Sequence, residues 1–459
     1  MTGPMPPEPR PEPDRTEGDL NTSSRRASWQ REHVDAEARR WLAEDEKYFL
    51  RQSLSTPCLN VLRSASGIHV EDLQGRQYMD FHGNNVHQVG FAHPKVVEAV
   101  KAQLDQLPFC TRRYTNVPAI RLAAKLTQLA PGRLKKVLFA PGGAEAMSMA
   151  LKLARAATGR FKTISMWDSF HGATLDAISV GGETLFRRGM GPLLPGTEHV
   201  PPPEPSRCPF RCGEECSLQC AGYLEYVLEK EGDVAAVVAE TVRSTPSIPP
   251  PEYWQRVRAA CDRHGALLIL DEVPHCLGRT GKMFTCEHYG VVPDMLVIGK
   301  GLGGGVFPLA ALLAREDLDQ AMPHGALGHF THEKSPVGCA AGLAAIECIE
   351  EEGLLENAQR VGAFALERLR ELGTRHAVAG RARGLGLLLG LELVLDRATR
   401  EPAVDEAEQV MYSALTRGLS FKVSLGNLLT LTPPLTIREA EMAKAIDIID
   451  ECLTEIRAR

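Results

Sequence analysis

Lys300 lies in VVPDMLVIGKGLGGGVFP, directly after a short apolar run and before a glycine-rich turn. Upstream, ALLILDEV carries another apolar run into the acid pair Asp271–Glu272. A lysine amine and a carboxylate presented from two strand ends suit pyridoxal phosphate (PLP). The amine can condense with the cofactor's aldehyde. The carboxylate can hold the pyridine nitrogen protonated, which makes the ring an electron sink. A lysine near glycines, taken alone, is usually a solvated loop residue; its pairing with Asp271 gives it meaning.

Three further segments offer what such a cofactor needs. In APGGAEAMSMALKLARAATG a strand end runs through Gly142–Gly143 into a helix. The backbone amides of Gly143 and Ala144 can hold a phosphate there, helped by the helix dipole. SFHGAT sets Phe170 where its ring can lie against one face of the cofactor, and His171 either contacts the cofactor or packs in the core. Side chains alternate along a strand, so Val273 shares a side with Asp271 and can cover the other ring face. Glu240 ends the run AAVVAE and can orient polar groups around cofactor or substrate. The stretch RCPFRCGEECSLQC places Cys208, Cys212, Cys216 and Cys220 at a spacing of four. Four thiols can bind zinc or an iron–sulfur cluster, or form a disulfide, but a C-x2-C knuckle is missing. The reading adopted is structural thiols with no metal.

These residues need a scaffold that gathers strand ends. From KKVLFAPGG onward the runs KVLFA, TISMW, AAVVAE, ALLILDEV and DMLVIG alternate with helical patterns. That alternation predicts an α/β fold with a mainly parallel sheet covered on both faces. Ligands in such sheets bind beyond the carboxyl ends of the strands. Gly142–Gly143, Asp168 to Gly172, Glu240, Asp271 and Lys300 all fall there. Upstream, SGIHVEDLQGRQYMDFH reads as a hairpin turning at Leu73–Gln74–Gly75, and HPKVVEAVKAQLDQL and PAIRLAAKLTQLA read as helices. Past about Glu350, GLLLGLELVL and NLLTLTPPL are short strands of a smaller region. The expected organisation is a disordered tail over 1–29, opened by a Pro-, Glu-, Arg- and Ser-rich stretch to about Arg26. A polar helix follows over about Gln30 to Leu50. Residues 30–80 contribute to a small domain, 81–345 form a large cofactor-binding domain, and 346–459 complete the small one.

With 459 residues the chain can hold two or more domains around a large core. A net charge of −6 argues against nucleic acid as a partner but leaves room for a local anion pocket. No apolar run approaches the roughly 20 residues of a membrane span, and the amino terminus lacks a signal-peptide pattern, so a cytoplasmic protein is expected. Twelve cysteines in so long a chain do not suggest a disulfide scaffold.

From about Val70 to about Ile456 the chain resembles the class III aminotransferases, enzymes of PLP fold type I. YMDFHGNNVHQVGFAHPKVVEAV, LFAPGGAEA, SFHGAT, LILDEVPHCLGRTGKMF, VIGKGLGGGVFPLAA, THEKSPVGCAAGLAAI, RGLGLLLGLEL and TLTPPLTI carry the resemblance. It implies a seven-stranded, mainly parallel sheet flanked by helices, with a smaller α+β domain built from the chain ends. It implies PLP bonded to Lys300, Asp271 on the pyridine nitrogen, Phe170 and Val273 on the two ring faces, and Gly143 and Ala144 on the phosphate. Thr331 matches a threonine that reaches the phosphate of the neighbouring subunit, so a homodimer with shared sites is implied.

The departures narrow the substrate. Many family members acting on α-amino acids grip the α-carboxylate with two arginines; here those positions are Ala173 and Thr430. A buried carboxylate without its bidentate partner loses a strong charge-assisted contact, so the substrate's reacting carbon should carry no carboxylate. HEKS after Thr331 and Pro274–His275 after the Asp-Glu-Val motif also depart from the usual pattern. PFCTRRYTN adds Arg112 and Arg113, with Tyr114 and Asn116, in a segment that lines the pocket in the family. Guanidinium groups suit a phosphonate or phosphate dianion. Neighbours on an extended chain point opposite ways, so only one need face the substrate. FHGNNVHQVGFAHP, RRYTN and LGRTGKMF together look most like family members that release ammonia from a 2-aminoethylphosphonate-type amine. The alternative reading is an ω-aminotransferase moving a terminal amine to a keto acid.

Overall fold

The computed structural model describes residues 23–52, 54–204, 208–212 and 216–456. The tail reading over 1–22 lies outside the described residues.

Seven strands form the large sheet. In spatial order they are Leu134–Ala140, Ala310–Arg315, Met295–Ile298, Leu267–Asp271, Val234–Glu240, Lys162–Met166 and Thr197–Val200. Ala310–Arg315 runs antiparallel to both of its neighbours, while the other pairings are parallel. The five runs read from the sequence are therefore sheet strands, and Thr197–Val200 and Ala310–Arg315 complete the set. Val234–Glu240 is buried at all seven positions, as expected of a central strand covered on both faces.

The helix Gly143–Thr158 follows the first strand. It buries Ala146, Met147, Met149, Ala150, Leu151, Leu153 and Ala154, a stripe broad enough to cover one sheet face, and it ends at left-handed Gly159. Because this helix starts at the carboxyl edge of the sheet, its amino terminus faces the same rim as the other strand ends.

The chain ends meet in a second sheet. The hairpin His69–Asp72 and Gln77–Asp80 pairs as expected, and Gln77–Asp80 is extended in parallel by Leu419–Ser420. A third sheet contains Ala379–Leu385, Leu388–Asp396, Leu428–Leu431 and Lys422–Ser424. The amino-terminal helical stretch differs from expectation. It begins at Ser24 and breaks into two helices, Ser24–His33 and Ala36–Tyr48. Asp35 causes the break, since its carboxylate caps the second helix at the Ala38 amide, 2.8 Å away. Trp29 anchors the first: its indole N–H donates to Thr416 Oγ1 at 3.1 Å and its ring packs near Tyr412. A buried tryptophan within the expected tail explains why Ser24–His33 is helical. Among the described residues, no helix is long and apolar enough to cross a membrane.

Candidate active site

Beyond the carboxyl ends of the large sheet lies a cavity of about 450 Å³, well within the size range of small-molecule sites. Gly142, Gly143, Ala144, Phe170, His171, Glu240, Asp271, Val273 and Lys300 all line it. Sequence separation is overcome by strand register: Glu240 and Asp271 are direct partners on adjacent parallel strands.

Asp271 is buried. Its Oδ2 accepts from His171 Nδ1 at 2.8 Å and its Oδ1 accepts from the Val273 amide at 3.0 Å. His171 therefore lines the cavity while its ring holds the Asp271 carboxylate by a hydrogen bond. Its Nε2 is buried with no hydrogen-bond partner. Glu240 Oε2 accepts the Phe170 amide at 3.3 Å and lies 3.5 Å from Arg243 Nε. The Phe170 ring in turn rests against Phe186, with centroids 4.5 Å apart.

Lys300 opens a short 3-10 turn with φ +47°, left-handed backbone that a lysine adopts only when its surroundings impose it. Hydrogen bonds from Leu302 N to Gly299 O and from Gly304 N to Gly301 O lock the turn. Gly143 allows a close approach: a Cβ there would meet the Val273 methyls at a tight 3.1 and 3.2 Å. Gly172 has φ +125°, and a Cβ would meet Ala144 Cβ at 2.6 Å, so Phe170–Gly172 can fold against the helix start only with glycine.

A lysine, a buried carboxylate and a helix amino terminus around one cavity fit PLP: an amine for its aldehyde, an anion for its ring nitrogen and amides for its phosphate.

Glu272, next to Asp271, faces the other way and is fully buried. It accepts from Thr241 Oγ1 at 2.8 Å and from the amides of Thr285 and Cys286 at 2.6 and 2.7 Å, fastening the following turn to the sheet. Burial pushes its carboxyl up to about 7 against these bonds. Since the folded value exceeds the unfolded one, its contribution to stability is full below about 4.5 and is lost as pH rises through about 7. Glu272→Gln turns an amide N–H₂ toward donors and should cost about 1–3 kcal/mol. The deficit should narrow between pH 5 and 8, because only the wild type loses stability over that window; denaturant midpoints measured across it test this.

Not every expected residue reaches the cavity within one chain. Arg112, Arg113, Tyr114 and Thr331 are exposed and do not line it. Arg112 is engaged: it contacts His329, donates from Nη2 to Phe330 O at 2.9 Å and pairs through Nε with Glu333 at 3.2 Å. Arg113 has no side-chain partner among the described residues. Thr430 is buried and donates to Ser424 Oγ at 3.0 Å, while Ala173 is exposed. Val86 and Phe307 line the cavity unforeseen. They come from loops whose apolar residues carry no local signal of a site. The Cys208 and Cys212 sulfurs are 3.6 Å apart, and Cys220 is buried.

Comparison with known proteins agrees with this geometry. Residues 51–453 match the family described as aminotransferase class-III. The chain belongs to that family. A relative, (R)-1-hydroxy-2-aminoethylphosphonate ammonia-lyase from Vibrio splendidus, is 47% identical over 458 residues, covering 96% of this chain and 95% of the relative. Leucine/methionine racemase from Thermococcus litoralis is 36% identical, covering 89% and 94%. Among solved structures, a PLP-bound amine transaminase from an uncultivated Pseudomonas species superimposes with a TM-score of 0.83 at 32% identity, covering 86% of this chain and 95% of that one. The protein is a PLP-dependent enzyme with a small-molecule amine substrate.

Proposed function

We propose that this chain is an ammonia-lyase converting (R)-1-hydroxy-2-aminoethylphosphonate to phosphonoacetaldehyde and ammonia. The 47% identity to the Vibrio splendidus lyase, spanning nearly all of both chains, carries the reading. Ala173 and Thr430 support it, since neither offers a carboxylate anchor.

In this reading Gly143 and Ala144 hold the cofactor phosphate at the helix start, Phe170 and Val273 flank the ring, and Asp271, steered by His171, holds the pyridine nitrogen. When bound, PLP supplies the electron sink that stabilises negative charge on the substrate's amine-bearing carbon. Lys300 takes the proton from that carbon at Nζ. The neighbouring hydroxyl leaves as water, and Lys300 can supply the proton it needs. The carbon–nitrogen unit left behind is hydrolysed to aldehyde and ammonia. One water leaves and one is consumed, so no oxidant or keto acid is required.

The test is purified, PLP-loaded enzyme with this substrate and no keto acid. Equal amounts of ammonia and aldehyde are expected. Amine consumption that starts only on adding pyruvate or 2-oxoglutarate would overturn the reading in favour of an aminotransferase, which the likeness to the Pseudomonas transaminase makes the second reading.

The site is completed by a second copy of the chain in this reading, as a homodimer. Thr331 and the Arg112–Tyr114 segment are exposed beside the exposed apolar residues Phe109, Val117 and Ile120, a surface suited to a partner. Arg112 braces the turn that carries Thr331, and Arg113 is the guanidinium available to a phosphonate. Arg113→Ala should raise KM for the phosphonate about tenfold or more, the scale of one charged hydrogen bond. Arg112→Ala should instead weaken cofactor retention. Mixing inactive Lys300→Ala with Arg113→Ala chains should restore turnover at low substrate, because each mixed dimer regains one intact site. No recovery after verified subunit exchange contradicts the shared site.

A further inference from the structure

We infer that His93, Cys348 and Glu352 form a binding site for a zinc-class divalent cation, separate from the cavity and independent of the proposed reaction. His93 immediately precedes the helix Pro94–Gln106, Cys348 lies in the last turn of the helix Pro336–Glu351, and Glu352 follows that helix. The three potential ligand atoms all lie within 4.8 Å of one another. Cys348 Sγ is 3.4 Å from His93 Nδ1, and Glu352 Oε1 is 2.8 Å from His93 Nε2.

The separation of sulfur and Nδ1 suits a metal. Tetrahedral zinc, with Zn–S of about 2.3 Å and Zn–N of about 2.0–2.1 Å, sets sulfur and nitrogen about 3.5 Å apart. The thiol and Nδ1 already stand near that spacing, so an ion can bridge them without moving either helix. Glu352 now holds the ring's other nitrogen, Nε2, so it supplies a third corner only by swinging its carboxylate round to the Nδ1 side, for which its 43% exposure leaves room. Water fills the fourth. A ring nitrogen, a thiolate and a carboxylate together select zinc or cobalt over magnesium or calcium, which prefer oxygen alone.

The surroundings favour a cation as well. Glu347 and Glu351 lie on the same helix end and share Lys95, at 2.9 and 2.8 Å, which leaves Glu352 to His93. Cys348 is buried, but His93 and Glu352 reach the surface, so an ion has a path inward. On binding, the Cys348 proton passes to solvent, and the ion ties the two helices together.

The experiment uses PLP-loaded protein stripped with a chelator and titrated with cobalt(II), then zinc(II). We expect a thiolate-to-cobalt charge-transfer band saturating at one ion per chain and displaced by zinc. Cys348→Ser and His93→Ala should abolish the band. Glu352→Gln, a surface change that cannot unfold the core, should weaken cobalt binding about tenfold or more, by loss of one ligand. Absence of the band overturns the inference. So does a band that survives His93→Ala, which would put the metal on other thiols such as Cys208 and Cys212, or an unchanged affinity in Glu352→Gln.

Discussion

Lys300→Ala should lower ammonia release by ~10³-fold or more, because one substitution removes both the amine that bonds the cofactor and the base that moves the substrate proton. The fold should survive. Lys300 is only partly buried, and its turn is locked by backbone bonds among Gly299, Leu302, Gly301 and Gly304. Alanine inherits the left-handed backbone at φ +47° with the same steric penalty, so the denaturation midpoint should move little. PLP should still bind, now removable by dialysis. A small primary amine such as methylamine, entering the space vacated by the side chain, should restore part of the rate. Restoration that follows the amine's basicity would mark the lost step as proton transfer. Turnover within tenfold of wild type would remove Lys300 from the chemistry and with it the proposed mechanism.

The centre of the site was legible because its residues sit at strand ends, and strand ends have a local signature: an apolar run that stops at a polar or glycine residue. Asp271, Lys300, Glu240 and Gly142–Gly143 all carry it, and parallel pairing then brings them around one cavity. What was not legible depends on contacts between distant segments. His171 could be read either way because its partner Asp271 is 100 residues away. Arg112 and Arg113 look equivalent in sequence, and only the packing of Glu333 and Phe330 against Arg112 distinguishes them. Ala310–Arg315 lacks the signature of a sheet member because it breaks the alternation: it inserts antiparallel between strands far apart in the chain. Glu272 was visible only as half of an acid pair. Strand alternation turns it away from Asp271, and three donors beyond the sheet decide its role.

Asp271→Asn is the second substitution of large expected effect. Asparagine keeps the shape and can still accept from the Val273 amide, so the strand end should remain in place. It cannot hold a cation. The buried position makes the charge count, since a carboxylate shielded from water acts on its partner through a low dielectric. Without it the pyridine nitrogen loses its proton, and the ring loses much of its capacity as an electron sink. A loss of ~10²-fold or more in kcat is expected, the scale of removing one pre-organised electrostatic contact at a reacting centre. His171 separates this charge effect from simple packing. Its Nδ1 donates to Asp271 at 2.8 Å, so His171→Ala leaves the charge but frees its orientation. That variant should lose less activity than Asp271→Asn. If His171→Ala and Asp271→Asn fall equally, the pair acts as one unit and the double variant should be no worse than either. If Asp271→Asn keeps the wild-type kcat, the carboxylate does not serve the ring nitrogen, and this cavity holds its cofactor by other means.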